Sequence, residues 1–385
     1  SELVETVRKS LVEPIESITV IDPLTVAIKF KSVRCDAISN VGLGWLPSHL
    51  YADDFSDIMT SPLNEMPTVS AGPFLFQNWT RGDSIILARN ETYWAGAPLM
   101  DGMIYRIALN AEDRLSLLQT GEIDIAVLEP AQLTAVTGNS DIEVFNAVDD
   151  GYDFVALNLA NPTNPQPGVD TDGNLLVQDP HPILSDVGIR RAMAHALDYS
   201  AIIENIYLGQ GYPLAANVLP SVEWAYDATL VPYDYNPNLA RQILDTSGWI
   251  DANNDGIREK DGSRLSLTLL TSVNNKIRVD LAELMQDQLN AIGFDITVEA
   301  LDSRVLVDRL LAQTFDAAII GWSGLGADPN DEVLWKPIYD VPGSGFNYVS
   351  FQSARVDELL TQGVTMPGCA PEDRAPIYKE LQSII

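Results

Sequence analysis

The 385-residue sequence predicts an α/β protein of two lobes, with mixed sheets and a cleft between the lobes. Three observations carry this. Residues 265–320 run strand, helix, strand, helix, strand, which is one doubly wound half. An earlier strand–helix–strand pattern at 103–128 repeats that grammar in shorter form. Between them, Gly151–Pro213 holds a strand, a long polar loop and two helices, where the chain leaves one lobe and starts another. The length agrees, since single cores stop growing near roughly 250–300 residues.

Taken in order, Ile18–Ile21 and Thr25–Phe30 read as strands joined by the turn Asp22-Pro23. Residues 32–69 are irregular, with several prolines. Ser70–Phe76 opens a β-rich run, and Arg81-Gly82-Asp83 turns it into Ser84–Ala88. Met103–Leu109 alternates as a strand, Glu112–Thr120 is a short helix stopped by Gly121, and Ile123–Leu128 is again a strand. That order is a βαβ unit, whose crossover should be parallel and right-handed. Tyr152–Leu159 is rich in β-branched and aromatic residues and stops at Asn161-Pro162. Asp186 can cap a helix that keeps Ile189, Met193, Ala196 and Leu197 on one face, and Asp198 or Ser200 can cap the next.

In the second half, Leu265–Leu270 alternates as a strand and Lys276–Ile292 is an amphipathic helix with Gly293 as its C′ residue. Phe294, Ile296 and Val298 alternate next. Ser303–Gln313 is a helix, and Phe315–Ile320 is a buried strand. Ligands of such sheets sit beyond the carboxyl ends of the strands. Three loops are thereby singled out: Thr271–Asn275, Leu301–Asp302 and Gly321–Asp328, with Leu128-Glu129-Pro130 as their counterpart in the first lobe. Inter-domain clefts are favoured ligand sites, and closure of two lobes on a ligand is a known mode.

Composition narrows the function. The formal charge of −31 excludes a generic phosphate-backbone binder, because Lys and Arg are few and scattered, so no nucleic-acid partner is expected. No run of about 18 apolar residues encodes a membrane span. The opening SELVETVRKSL lacks the apolar stretch of a signal peptide. Cys35 and Cys369 lie far apart, without CxxC or metal spacing. They can make one disulfide, but sequence alone does not bring them together, and two unpaired, buried thiols are the default reading.

Catalytic signatures are missing. His49, His181 and His195 show no metal spacing, and His195, among alanines on an apolar helix, reads as structural. No G-x-S-x-G elbow, P-loop or helix-opening G-x-G-x-x-G occurs, and Gly321-Trp322-Ser323-Gly324-Leu325 lacks the final glycine. The chain reads as a binder, not an enzyme, with no cofactor required. The most metal-like stretch is the loop from Asp251 to Asp261, in which Asp251, Asn253, Asp255, Gly256 and the Ile257 carbonyl match the first seven positions of an EF-hand loop. The bidentate Glu of position 12 is replaced by Gly262, with Asp261 one residue early. Calcium is a candidate ligand there; an Asx-rich turn is the alternative. Trp322 ends a buried strand and offers a large rigid contact area for a peptide backbone or a sugar face, or else caps the sheet edge as a core residue. The candidate ligand contacts are Trp322, Ser323, Gly324, Leu325, Asp328, Thr271 and Asn274 on the second-lobe loops, with Glu129 and Asn158 beside them. Asp328-Pro329 reads more simply as the stop of its loop.

Several motifs, taken in order, resemble the family 5 extracellular solute-binding proteins, the peptide/nickel-type receptors of ABC importers. They are Ser70-Ala71-Gly72-Pro73-Phe74 with Trp79, Arg89-Asn90-Glu91-Thr92-Tyr93-Trp94, Gly121-Glu122-Ile123-Asp124 and Ile189–Asp198. They continue with Gly248-Trp249 ahead of Asp255-Gly256, then Gly321-Trp322 with Asp328-Pro329, and Phe346-Asn347 with Phe351, Val356 and Asp357. The resemblance runs from about Pro14 to the end. It implies a type II periplasmic-binding-protein-like fold of the cluster with an extra subdomain. Residues 1–69 would be a remnant of that subdomain, 70–157 the α/β part of lobe I, and 158–385 lobe II. It further implies a fragment cut at both ends, with Phe154–Asn158 as the strand crossing between lobes and as their single remaining connection. The implied function is an extracytoplasmic receptor, in the periplasm or lipid-anchored at the outer face of the membrane. It is monomeric, takes an oligopeptide or similar solute, and delivers it to the transmembrane subunits of an ABC permease. An oligosaccharide receptor of the same family, or the sensing domain of a regulator, is the alternative. Peptide receptors of the family often carry an acidic residue just after this Gly-Trp to meet the peptide ammonium. Here Leu325 takes that place, and an apolar side chain cannot offset the desolvation of an ammonium. Nickel is disfavoured because no histidine cluster exists.

Overall fold

The computed structural model describes residues 12–41, 46–52, 54–108, 110–324 and 326–385. The principal elements are, in chain order, β1 (Ile15–Asp22), β2 (Thr25–Phe30), β3 (Phe74–Thr80), β4 (Ser84–Arg89), β5 (Gly102–Arg106) and α1 (Ala111–Thr120). After these come β6 (Tyr152–Leu157), α2 (Val187–Ala196), α3 (Tyr199–Asn205), α4 (Pro237–Thr246), β7 (Ser266–Ser272) and α5 (Lys276–Asn290). The chain closes with β8 (Asp295–Leu301), α6 (Ser303–Leu311), β9 (Ala317–Trp322), α7 (Glu332–Trp335), α8 (Ala354–Thr365) and α9 (Pro371–Ile384). Two compact units result: Ser1–Gly42 with Ala147–Ile385, and Leu43–Asn146.

The larger unit is built on a four-stranded sheet of order β8-β7-β9-β6. β8 and β9 both run parallel to β7, and β6 pairs antiparallel with β9, Trp322 facing Tyr152 and Ala317 facing Leu157. Successive side chains of a strand point to opposite faces. Here both faces are covered. Leu267, Leu269, Ala317 and Ile319 pack with Leu281, Met285 and Leu289 of α5 and with Ile189 and Met193 of α2. Leu270, Ala318 and Ile320 pack on the other side with Leu306 and Leu310 of α6, Phe315 and Tyr348. Double burial is why 317–320 is an unbroken apolar run instead of an alternating one. The helices start where expected: Asp186, Asp198, Asn275 and Asp302 each accept a backbone N–H of their own first turn. Gly293, at φ 103°, ends the turn that follows α5.

A third cluster joins α8 and α9 through Val356, Leu359, Leu360, Ile377, Tyr378 and Leu381. The N-terminal hairpin β1–β2 is tied to it covalently. Cys35 and Cys369 form a disulfide with Cα atoms 5.1 Å apart, so the expected free thiols are corrected. Their sequence separation of 334 explains why spacing gave no hint. The neighbouring Arg34 reinforces the link, pairing with Asp36 at 2.5 Å and with Glu332 at 3.1 Å.

The smaller unit holds the antiparallel sheet β3-β4-β5 and α1, which is capped by the Asn110 side chain and stopped by Gly121 at φ 73°. The expected strand Ile123–Leu128 does not form, and with it goes the parallel βαβ crossover. Ile125 is 86 % exposed and Val127 83 %, and among the described residues no strand offers them a ladder. β-propensity is realised only against a partner. β5 stops at Arg106, and Leu109 lies outside the described residues.

The compact units divide the chain at other points than the expected 69/70 and 157/158 boundaries. β6 is an integral strand of the larger unit's sheet, and the chain passes between the compact units after Gly42 and after Asn146. Only the second passage lies near the expected junction. Closing so long a loop restricts the unfolded chain strongly, by about 2–5 kcal/mol in typical cases. Reduction, or Cys35→Ser with Cys369→Ser, should therefore lower the melting temperature of the larger unit by roughly 5–15 °C in calorimetry. An unchanged transition would show that the disulfide contributes nothing to the fold.

Candidate functional site

The carboxyl ends of β7, β8 and β9 place the loops Thr271–Asn275, Leu301–Asp302 and 321–331 along one end of the sheet. β7 and β8 are stitched there: the Val273 amide donates to the Leu301 carbonyl at 2.8 Å, Ser272 and Ser303 hydroxyls meet at 2.7 Å, and Asn274 Nδ2 donates to Ser303 Oγ at 3.2 Å. Thr271 is fully buried and its hydroxyl has no partner. Trp322 is half-buried at the end of β9, its ring 6.3 Å from Phe154, 5.9 Å from Phe346 and 6.5 Å from Tyr348. It is therefore both the edge of an aromatic cluster and partly open. Ser323 and Gly324 are exposed, and the Gly324 amide donates to Asp150 at 3.1 Å. Leu325 lies outside the described residues.

On the opposite face, Arg278 of α5 pairs with Asp153 of β6 at 2.8 Å, and the Tyr207 hydroxyl donates to the same carboxylate at 2.8 Å. Gly321 makes this possible. A Cβ there would stand 2.3 Å from Arg278 Nη2 and 2.5 Å from Asp153 Oδ1, and one on Gly151 would stand 2.4 Å from the Trp322 carbonyl. The sequence reading missed this group; the glycine ahead of Trp322 was its one visible trace.

Other candidates lie elsewhere. Asn158 sits at the far end of the sheet, fully buried, donating to the Gln313 and Phe315 carbonyls and accepting from Ala160 N. Its role there is to close the sheet. Asp328 is held by Arg374 at 2.8 Å, a guanidinium that also lies 4.9 Å over the Trp224 ring. Glu129 belongs to the smaller unit, where it forms a capping box with Gln132 and faces Arg114 at 3.6 Å. His181 bridges to Asp316 at 3.1 Å while its Nδ1 accepts the Ile183 and Leu184 amides, and His195 Nδ1 meets the Asp234 carbonyl at 2.9 Å. Two shallow depressions of the larger unit, around Leu239 and Ile243 and around Ile203 and Tyr212, are away from the strand ends.

In the loop from Asp251 to Asp261, Asp251 Oδ1 and Asn253 Oδ1 converge on the Asp255 amide at 3.1 and 2.8 Å, and Asp251 Oδ2 accepts from Gly256 N at 3.0 Å. Asp255 accepts from Ile257 N and holds Arg264 at 2.7 Å. Asp261 is at φ 53°. Among the described residues no group of three or more His, Cys, Asp or Glu side chains is arranged around a metal position.

Hydroxyls, amides and a half-open tryptophan thus meet at the strand ends of the four-stranded sheet. The chain belongs to the bacterial extracellular solute-binding proteins, family 5, whose middle region matches residues 5–336. The oligopeptide-binding protein AppA of Bacillus subtilis is 27 % identical over 88 % of this chain and 58 % of its own length. Heme-binding protein A of Haemophilus influenzae is 26 % identical over 97 % and 63 %. The chain thus spans about three fifths of the length of these curated relatives. The structure of B. subtilis AppA with a nonapeptide superposes with a TM-score of 0.80 at 25 % identity, covering 98 % of this chain and 71 % of that one. NikZ from Campylobacter jejuni with Ni(L-His) shares the fold, at a TM-score of 0.80 and 23 % identity over 97 % and 70 %.

Two acids, half-buried Asp331 and fully buried Asp340, set the pH response. Burial raises Asp331 to about 7, against a hydrogen bond from Asn217. Burial likewise raises Asp340, fully enclosed and with Oδ2 unpartnered, to about 6. A folded value above the unfolded one means stability that is complete below the unfolded value and lost as pH rises through the folded one. For Asp340 that loss is on the order of 3 kcal/mol. Asp316 is shifted down, through the His181 and Thr268 hydrogen bonds that outweigh burial, and acts oppositely below the ordinary carboxylate range. The melting temperature should peak in mild acid and fall from about pH 4 to 7, and Asp340→Asn should flatten that fall. A rise with pH over this window would refute the assignment.

Proposed function

We propose that this protein is an extracytoplasmic receptor of an ABC importer that captures an oligopeptide or similar solute and hands it to the permease, without chemistry of its own. The observation that carries the reading is the convergence of the three strand-end loops in a chain that belongs to the family 5 solute-binding proteins. The names of the relatives add weight for a transported solute, peptide first: the AppA and heme-binding proteins above, and the peptide transport periplasmic protein SapA of Salmonella typhimurium. An extracytoplasmic setting suits the disulfide, since such bonds persist in oxidising compartments. No helix of the described residues is long and apolar enough to cross a membrane.

Affinity in this reading comes from Trp322, the Ser323 and Gly324 backbone, and the Asn274–Ser303 edge. Titrating a random nonapeptide pool while following tryptophan fluorescence should give a saturable change, with an oligosaccharide pool as the competing probe. Trp322→Ala should weaken binding by about 30-fold or more, the size of an interface anchor. Saturation by the oligosaccharides alone would transfer the reading to sugars, and an unaltered affinity in Trp322→Ala would remove this edge from the site.

The loop from Asp251 to Asp261 supports a separate proposal, calcium as a structural ligand, because side-chain oxygens of Asp251 and Asn253 already meet at the Asp255 amide. Binding would require Asp255 to exchange Arg264 for the ion. Calorimetry with calcium should then give heat in the native protein that vanishes in Asp255→Ala, and equal heats in both would eliminate the site.

A further inference from the structure

Among the described residues, the chain between Trp322 and Glu332 forms no helix or strand, and its early residues Ser323 and Gly324 are exposed. Its later residues are held from outside. Asp328 pairs with Arg374 of α9 at 2.8 Å. Asn330 donates through Nδ2 to Asp36 at 2.8 Å and accepts the Glu332 amide at 3.2 Å, and Glu332 meets Arg34 at 3.1 Å. Two of these three ties come from the segment Arg34–Asp36, and Asp36 lies 294 positions before Asn330. That segment is itself fixed twice. The Cys35 amide donates to the Val364 carbonyl in the last turn of α8 at 2.8 Å, and the Cys35 sulfur is bonded to Cys369. Arg34 then spans Asp36 with a two-point fork, Nε to Oδ1 at 2.8 Å and Nη2 to Oδ2 at 2.5 Å.

Stability alone does not account for these pairs. Asp36 is 3 % exposed and Arg374 4 %, and an apolar substitute for a buried ion pair is often as stable. What the pair adds is geometry, because a forked guanidinium fixes direction as well as distance. A site group serves best when it stands within about 0.5 Å of its working position before the ligand arrives. A loop that visits this position only part of the time loses affinity in proportion. The ties act on the half of the loop farther from β9, so strand and ties together hold Ser323 and Gly324 from both sides. We propose that Arg374 and the Arg34–Asp36 segment, locked by the Cys35–Cys369 bond, are positioning residues for solute capture. They keep the loop after β9 in its receiving conformation in the free protein and do not touch the solute. This rests on the receptor reading and adds a control on affinity that lies outside the site.

The test uses Asn330→Ala, which removes one tie locally, and Cys35→Ser with Cys369→Ser, which releases the segment from a distance. Stopped-flow tryptophan fluorescence with the nonapeptide pool should show association slowed about 10-fold in both and dissociation unchanged, the signature of a smaller competent fraction. Amide hydrogen exchange of the free variants should quicken at residues 323–331 and stay native across β7 and β9. Native exchange at 323–331, or native association rates, overturns the proposal, whatever the melting temperature does. Faster dissociation with association intact overturns it as well, since that marks a lost ligand contact. If the double serine variant does not fold, Asn330→Ala decides alone. A native protein that binds neither the peptide nor the oligosaccharide pool overturns the receptor reading and solute positioning with it.

Discussion

The antiparallel ladder between β6 and β9 is the interaction on which the rest of the larger unit depends. β6 is the first strand after the chain returns from the smaller unit, and it adds to the edge of a parallel sheet whose other members come more than a hundred residues later. Register decides what the sheet presents. With Ala317 opposite Leu157, the Asp153 carboxylate reaches Arg278, and Tyr152 and Trp322 end the two strands together. A slip of one residue would reverse every side chain between the two cores. Glycine at 151 and 321 allows the backbones and the ion pair to approach at the ladder's end, while Asn158 locks the opposite end by binding two carbonyls.

What was legible in the sequence is what local physics dictates. The 265–320 pattern, the caps Asp186 and Asp198, and the apolar run of β9 each follow from periodicity or from a single hydrogen bond within a turn. The strand at 123–128 failed for the complementary reason. Alternating apolar residues state a capacity for pairing, and Ile125 and Val127 remain exposed where the described residues form no ladder. The Cys35–Cys369 bond and the Arg34–Glu332 pair join residues some three hundred positions apart, beyond the reach of any window. Site residues divide the same way. Trp322, Ser323 and Asn274 lie at strand ends, which periodicity makes predictable, whereas Tyr207 reaches the Asp153–Arg278 pair from an irregular segment. Of the other candidate contacts, Asn158 donates to two carbonyls and Asp328 pairs with Arg374, partners that no local pattern announces.

The distant contacts have a common effect on one loop. Its start is fixed by β9. Its end is fixed by Asp328 on Arg374 and by Asn330 on Asp36, and Arg34 carries that anchorage to the α7 residue Glu332. The disulfide holds Arg34 and Asp36 against the segment that leads into α9, from which Arg374 projects. Covalent and ionic ties that look like N-terminal housekeeping thus position the far end of a strand-end loop, and the exposed residues Ser323 and Gly324 are left between two rigid posts.

Asp331 is the residue that this arrangement does not explain by stability. Each neighbouring acid has a cation, and a capping aspartate at the start of α7 had an N–H within its own turn to accept. Folding energetics alone would favour either solution over an ionisable group held at about 7 by burial. Local rules are broken most often where a site must remain ready for something the free protein lacks. Here the broken rule and the unmet acceptor of Asn217 occur together, on the segment that follows β9 and its terminal Trp322.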